Sequence, residues 1–66
     1  MSTAVLVDKV ESVTTIGINR PHKRNCVNQA TGELLKKAIE DFENDPTSPV
    51  AVLYGTGGTF CAGYDL

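Results

Sequence analysis

Residues Gly55 to Leu66, reading GTGGTFCAGYDL, put four glycines and a small Cys61-Ala62-Gly63 step directly after the apolar run Val50 to Tyr54. Glycine frees the backbone to take up φ values that other residues avoid, so such a stretch can turn its N–H groups toward a ligand. Spacing excludes two phosphate cradles. A dinucleotide fingerprint needs glycine at its first, third and sixth positions, and counting from Gly55 the sixth residue is Phe60. A Walker A loop needs Gly-Lys-Ser or Gly-Lys-Thr, and no lysine follows Lys37. What remains is a small-residue turn that exposes the backbone N–H groups after it, a layout suited to stabilising an oxyanion rather than a phosphate.

The other groups able to do chemistry are few. Cys26 and Cys61 are the only thiols; they are too few for a disulfide framework and lack the paired spacing of a zinc site, so they read as buried or free thiols of a reducing compartment. Histidine is a residue type able to act as a general base, but His22, alone between a proline and a lysine, reads as a surface or ligand-contact residue. Asp65 is the only carboxylate in the glycine-rich turn, and the reading preferred for it is structural, bonding to local backbone N–H groups to fix the turn.

The elements that must position these groups follow from periodicity and punctuation. Ala4 to Lys9 and Val13 to Ile18 are short runs rich in Val, Ile and Thr, separated at Glu11-Ser12 by polar residues that close a hairpin, which predicts two antiparallel strands. Arg20-Pro21 ends the second strand, because proline has no N–H for a ladder, and a loop runs from Pro21 to about Asn28. From Thr31 to Asn44 the residues Leu34, Leu35, Ala38, Ile39 and Phe42 form the stripe of a half-buried amphipathic helix. Asn28 and Thr31 are both competent N-caps, Glu33 is expected in the first turn, and Glu33 with Lys37 has the favoured i,i+4 order. Pro46 and Pro49 stop the helix. Val50 to Tyr54 reads as a strand buried on both faces, and strand, helix, strand implies a crossover.

Composition bounds the class. With 66 residues the chain offers one small core, since domains of this size bury only about 60% of their unfolded surface. A 41% apolar and 21% charged composition is that of a soluble globular protein. The net charge of −2, without runs of like charge, gives no electrostatic reason to propose nucleic acid or an anionic membrane as partner. Met1 to Val13 lacks the basic and apolar regions of a signal peptide and carries Asp8 and Glu11, unlike a transit peptide, and no apolar run approaches the roughly 20 residues of a membrane span. Localisation is therefore expected in the cytoplasm or another reducing compartment.

Taken in order, Asn19-Arg20-Pro21, Lys23-Arg24-Asn25-Cys26-Val27-Asn28, the helix, Val50-Ala51-Val52-Leu53 and Gly57-Gly58-Thr59-Phe60-Cys61-Ala62-Gly63-Tyr64-Asp65-Leu66 resemble the opening of the enoyl-CoA hydratase/isomerase, or crotonase, family. The resemblance spans nearly the whole chain. It implies that the backbone N–H of Tyr64 is one of two donors to a thioester carbonyl oxygen, and that the second donor and the glutamates that move protons or activate water lie beyond Leu66. It also implies that the loop residues His22, Lys23 and Arg24 meet the adenine and phosphate end of coenzyme A, with Ala62 near the adenine or pantetheine. Two cations and a histidine suit phosphates, and arginine can bind them bidentately. The plainer alternatives are solvated loop charge for Lys23 and Arg24, and a ring that only lines the pocket for Tyr64.

The expected fold class is therefore α/β, a crotonase-like ββα spiral fragment of strand, strand, helix, strand and glycine-rich turn. Residues 1–66 are expected to form the N-terminal part of a single crotonase-like domain, incomplete because Leu66 falls inside the motif. The parent would process an acyl-CoA through a thioester enolate, with hydration of a 2-enoyl-CoA leading and double-bond isomerisation second. No metal or prosthetic group is implied, coenzyme A entering as part of the substrate, and the resemblance implies a homo-oligomer, trimer or hexamer, for the parent. The alternative is a non-catalytic module that binds coenzyme A or adds strands to a partner.

Overall fold

A computed structural model describes residues 3–64. Strand β1 (Val5–Val10) turns through Glu11-Ser12 into β2 (Val13–Ile18), and helix α1 (Gln29–Glu43) carries the chain to β3 (Val50–Gly55). A single 3-10 turn, Pro21–Lys23, lies between β2 and α1. The sheet order is β1-β2-β3, antiparallel between β1 and β2 and parallel between β2 and β3, so the expected hairpin and crossover are both present. The hairpin turn needs a left-handed residue, and Glu11 supplies it at φ 58.

Register explains the core. Val5 pairs with Ile18, Val7 with Ile16, and Lys9 with Thr14, which puts Thr14, Ile16 and Ile18 on one face of the central strand. α1 packs over that face of β1 and β2, where Ala38 closes on Val5 and Ile16 and half-buried Leu35 packs against them. Valine and isoleucine side chains such as Val5 and Ile16 contribute about 1.5–3 kcal/mol each when fully buried, and the Ala38 methyl about 0.8 kcal/mol. Among the described residues the buried apolar set is only Val5, Ile16, Ile18 and Ala38, as the length requires.

Four sequence expectations change. The helix starts at Gln29, not Thr31, because Asn28 is the cap: its Oδ1 accepts from the Thr31 N–H at 2.9 Å. Glu33 consequently falls in the second turn, and no acidic residue occupies the first. Lys37 pairs with Asp41 at 3.2 Å rather than with Glu33, on the exposed side of the helix. The largest correction concerns β3, whose Val50 to Tyr54 are all exposed. α1 covers only β1 and β2, so an apolar run that reads as a doubly buried strand lies at the sheet edge, with Val50, Val52, Leu53 and Tyr54 uncovered among the described residues.

Candidate functional site

Because β2 and β3 are parallel, their carboxyl ends lie side by side, and the segments leaving them are the basic loop 19–28 and the glycine-rich turn 56–64. The crevice beyond such strand ends is the usual ligand position in α/β folds. Thr56 extends the ladder by donating its N–H to Ile18 O at 3.0 Å, and its hydroxyl donates to Asn19 Oδ1 at 2.9 Å. Two glycines then let the turn fold tightly. A Cβ on Gly55 would lie 2.3 Å from the carbonyl oxygens of both Thr59 and Phe60. Gly57, at φ 76, rests on Pro21, whose Cβ would be 2.7 Å from an added methyl.

The basic loop is closed by its own backbone. The N–H groups of Lys23 and Asn25 both reach Arg20 O, at 2.9 and 2.8 Å, and Arg24 N–H reaches Pro21 O at 3.1 Å. Arg24 takes the left-handed conformation at φ 52 and ends the 3-10 turn. Asn25 follows at φ 58, fully buried, with its Oδ1 accepting from Arg20 N–H at 2.7 Å. Its Nδ2 donates to Thr56 O at 2.7 Å and to Thr59 O, tying loop to turn.

Further along, the two segments run parallel. Ala62 N–H donates to Arg24 O at 3.1 Å, Val27 N–H donates to Gly63 O at 2.8 Å, and Val27 and Tyr64 form a bridge. His22, Lys23 and Arg24 are exposed on the loop, while Ala62 and Tyr64 are exposed on the strip beside it. Lys23 and Arg24 make no ion pair among the described residues, and the Tyr64 N–H donates to none of them. The preferred structural reading of Asp65 lies outside the described residues.

The family model described as enoyl-CoA hydratase/isomerase matches residues 8–66. The chain belongs to this family. It is 41% identical over 54 residues to a mevalonyl-coenzyme A hydratase of Aspergillus fumigatus, covering 82% of this chain and 20% of that protein. It is 39% identical over 62 residues to a probable enoyl-CoA hydratase of Mycobacterium tuberculosis, covering 94% and 24%. Among solved structures, a probable enoyl-CoA hydratase/isomerase from Mycobacterium abscessus superposes with a TM-score of 0.96 at 41% identity, over 100% of this chain and 26% of that one. An enoyl-CoA hydratase from Mycobacterium tuberculosis H37Rv superposes with a TM-score of 0.92 at 36% identity, over 96% and 28%. The chain thus has the crotonase fold over its length and spans about a fifth to a quarter of the curated relatives it matches.

Within this chain the Ala62 to Arg24 bond and the Val27–Tyr64 bridge bring Ala62 and Tyr64 beside the loop that carries His22, Lys23 and Arg24. Sequence reasoning missed Asn25, which it read only as part of a loop motif. The available signal was an asparagine after two cations in a loop, a residue that tolerates left-handed backbone and can bond local or distant carbonyls. Cys26 and Cys61 are free and half-buried. No described group of three His, Cys, Asp or Glu side chains could hold a metal ion, and no described helix is long and apolar enough to cross a membrane.

A concavity of about 290 Å³ opens instead at the other end of the sheet, between β1 and the last turns of α1, lined by Val7, Asp8, Lys9, Thr14, Ala38, Asp41, Phe42 and Asp45. Its polar groups are already engaged. Lys9 Nζ meets Asp45 Oδ2 at 3.2 Å and also donates to the Thr47 hydroxyl. Asp45 Oδ1 accepts from the Thr47 hydroxyl at 2.6 Å and from the Thr47 N–H at 2.9 Å. These bonds, the Thr47 hydroxyl first, with Lys9 beside them, hold the Asp45 carboxyl down at about 2. Charge there is spent on holding the hairpin to the helix end, so this groove is a structural seam and the carboxyl-end patch is the candidate site.

Proposed function

We propose that this chain supplies the coenzyme A-binding, N-terminal part of a single enoyl-CoA hydratase-type domain that stabilises a thioester enolate. Hydration of a 2-enoyl-CoA is the leading reaction and double-bond isomerisation the second. The observation that carries the reading is the Tyr64 N–H, which donates to no described group yet is fixed beside the basic loop by the Val27 to Gly63 bond. A backbone donor held in place with no partner among the described residues suits a carbonyl oxygen that gains negative charge. In this reading His22, Lys23 and Arg24 receive the adenine and phosphate end of coenzyme A, and Ala62 lines the path toward the adenine or pantetheine.

One donor is half of such a hole, and losing a donor costs about 2.7–4 kcal/mol in enzymes where it has been measured. The chain's own residues therefore bind, orient and polarise the thioester, while the second donor and the proton-moving glutamates are assigned to the remainder of the domain. The reading needs no metal or prosthetic group, and it takes a homo-oligomer in a reducing compartment as the working state. Intact mass of the native protein, with loss of crotonyl-CoA absorbance on the same sample, tests it. Turnover by a species well above 7.1 kDa is expected. A 7.1 kDa species without turnover refutes catalysis by the chain and leaves coenzyme A affinity, read by calorimetry, as the remaining function.

A second reading, a strand-adding module, is favoured by one observation: β3 is an uncharged edge strand with its apolar residues exposed. A 7.1 kDa native species that forms a stable complex through β3 and ignores coenzyme A supports it.

A further inference from the structure

Asn25 engages both amide hydrogens and its Oδ1 in three hydrogen bonds while 0% exposed. Oδ1 takes the Arg20 N–H, and the two Nδ2 hydrogens go to the carbonyls of Thr56 and Thr59, 31 and 34 residues away. Few side chains could do this. Aspartate accepts but has no hydrogens for the carbonyls, serine and threonine carry one, and glutamine adds a methylene to a fully packed position. The backbone adds a second demand, because φ 58 is a conformation that asparagine enters more readily than most residues.

Its neighbours give these bonds a functional meaning. Lys23 and Arg24 directly precede Asn25, and the turn it grips leads within five residues to Tyr64. The Ala62 to Arg24 and Val27 to Gly63 bonds lie just beyond the grip. Resting on the function proposed above, we infer that Asn25 is a positioning residue that sets the separation between the loop cations and the Tyr64 N–H, so that one thioester ligand reaches both. Each half of the site keeps its own groups when Asn25 is lost; what disappears is their fixed spacing. Affinity for a ligand that touches one half is then preserved, and the gain from linking the two halves falls away.

Two variants test this. Asn25→Gly keeps the left-handed backbone and removes only the clasp, while Asn25→Asp keeps the acceptor and withdraws both hydrogens. Calorimetry with adenosine 3′,5′-bisphosphate reads the cationic half alone, and acetoacetyl-CoA reads both halves. Hydrogen exchange compares the Ala62 and Val27 amides with those of β2. In Asn25→Gly, β2 protection and bisphosphate affinity are expected to hold within about twofold, while acetoacetyl-CoA affinity and Ala62 and Val27 protection fall about tenfold or more. Asn25→Asp behaves alike at neutral pH and recovers on acidification, as the buried carboxyl gains a proton it can give to one carbonyl.

Equal weakening of both ligands, or no change in either variant, overturns the inference. If the unaltered chain binds neither ligand, the proposed function fails while exchange still decides the clasp: retained Ala62 and Val27 protection in the variants overturns it, and selective loss supports it. Should one variant lose β2 protection, the other carries the test.

Discussion

At the hairpin end of the sheet, Lys9, Asp45 and Thr47 hold one another, and Thr14 and Ser48 share a buried hydrogen bond while Ser48 Oγ also reaches Ser12 O at 3.2 Å. At the carboxyl end the arrangement is reversed. There the buried polar group is Asn25, whose partners are backbone atoms, and the charged side chains of Lys23 and Arg24 are left facing solvent. Side chains that satisfy each other make a seam with nothing left to offer. A single buried amide that satisfies the backbone makes a support whose neighbours stay available. The two ends differ not in how polar they are but in which groups have been committed.

That contrast can be broken by removing the feature each end depends on. The largest effect is expected for Gly55→Ala, because the new methyl meets two carbonyl oxygens at 2.3 Å and neither is the tip of a flexible side chain. Overpacking of this kind costs about 3 kcal/mol. Urea unfolding should register the loss together with coenzyme A affinity, and an unchanged midpoint would contradict the turn geometry. Thr14→Val comes next: it strips Ser48 of a partner in the buried seam at a cost of about 1–2 kcal/mol, with coenzyme A affinity untouched. A double-mutant cycle with Ser48→Ala should return much of that cost as coupling.

Smaller again, and opposite in kind, is Lys23→Ala combined with Arg24→Gly, the glycine chosen to suit φ 52. Coenzyme A affinity should fall severalfold, roughly 1 kcal/mol, and lose part of its salt dependence, while the unfolding midpoint stays put. A shifted midpoint with unaltered affinity would make these cations structural and erase the distinction between the ends. The smallest effect belongs to Asp45→Asn. Its folded pKa, about 2, lies below the ordinary 3.8, so the stability it contributes is present above 3.8 and is lost as pH falls through about 2. The substitution should flatten that part of the acid unfolding curve only, and modestly, because the group sits at the surface.

Much of this organisation is legible from residue types. The hairpin, the helix stripe and the crossover follow from local periodicity, and the exclusion of nucleotide cradles follows from glycine spacing. The Asp45-Pro46-Thr47 turn went unread, although an aspartate two residues before a threonine is an Asx-turn pattern, and its distant partner Lys9 is announced by nothing local. β3 was misread because a charge-free run of five shows that a strand wants cover, not what covers it. Asn25 was passed over for a different reason: its partners, Thr56 and Thr59, are distant in sequence, and nothing in the loop announces which carbonyls will arrive beside it.

The Asn25 clasp also bears on the order in which the molecule assembles. The β1–β2 hairpin closes across two residues and α1 forms from neighbours, but the bonds to Thr56 and Thr59 close loops of 31 and 34 residues and require β3 to be docked first. Loop-closure entropy puts such contacts late. The candidate site therefore exists only once β3 has paired with β2 and comes apart when that edge is pulled away, so its integrity reports on whether β3 is in place.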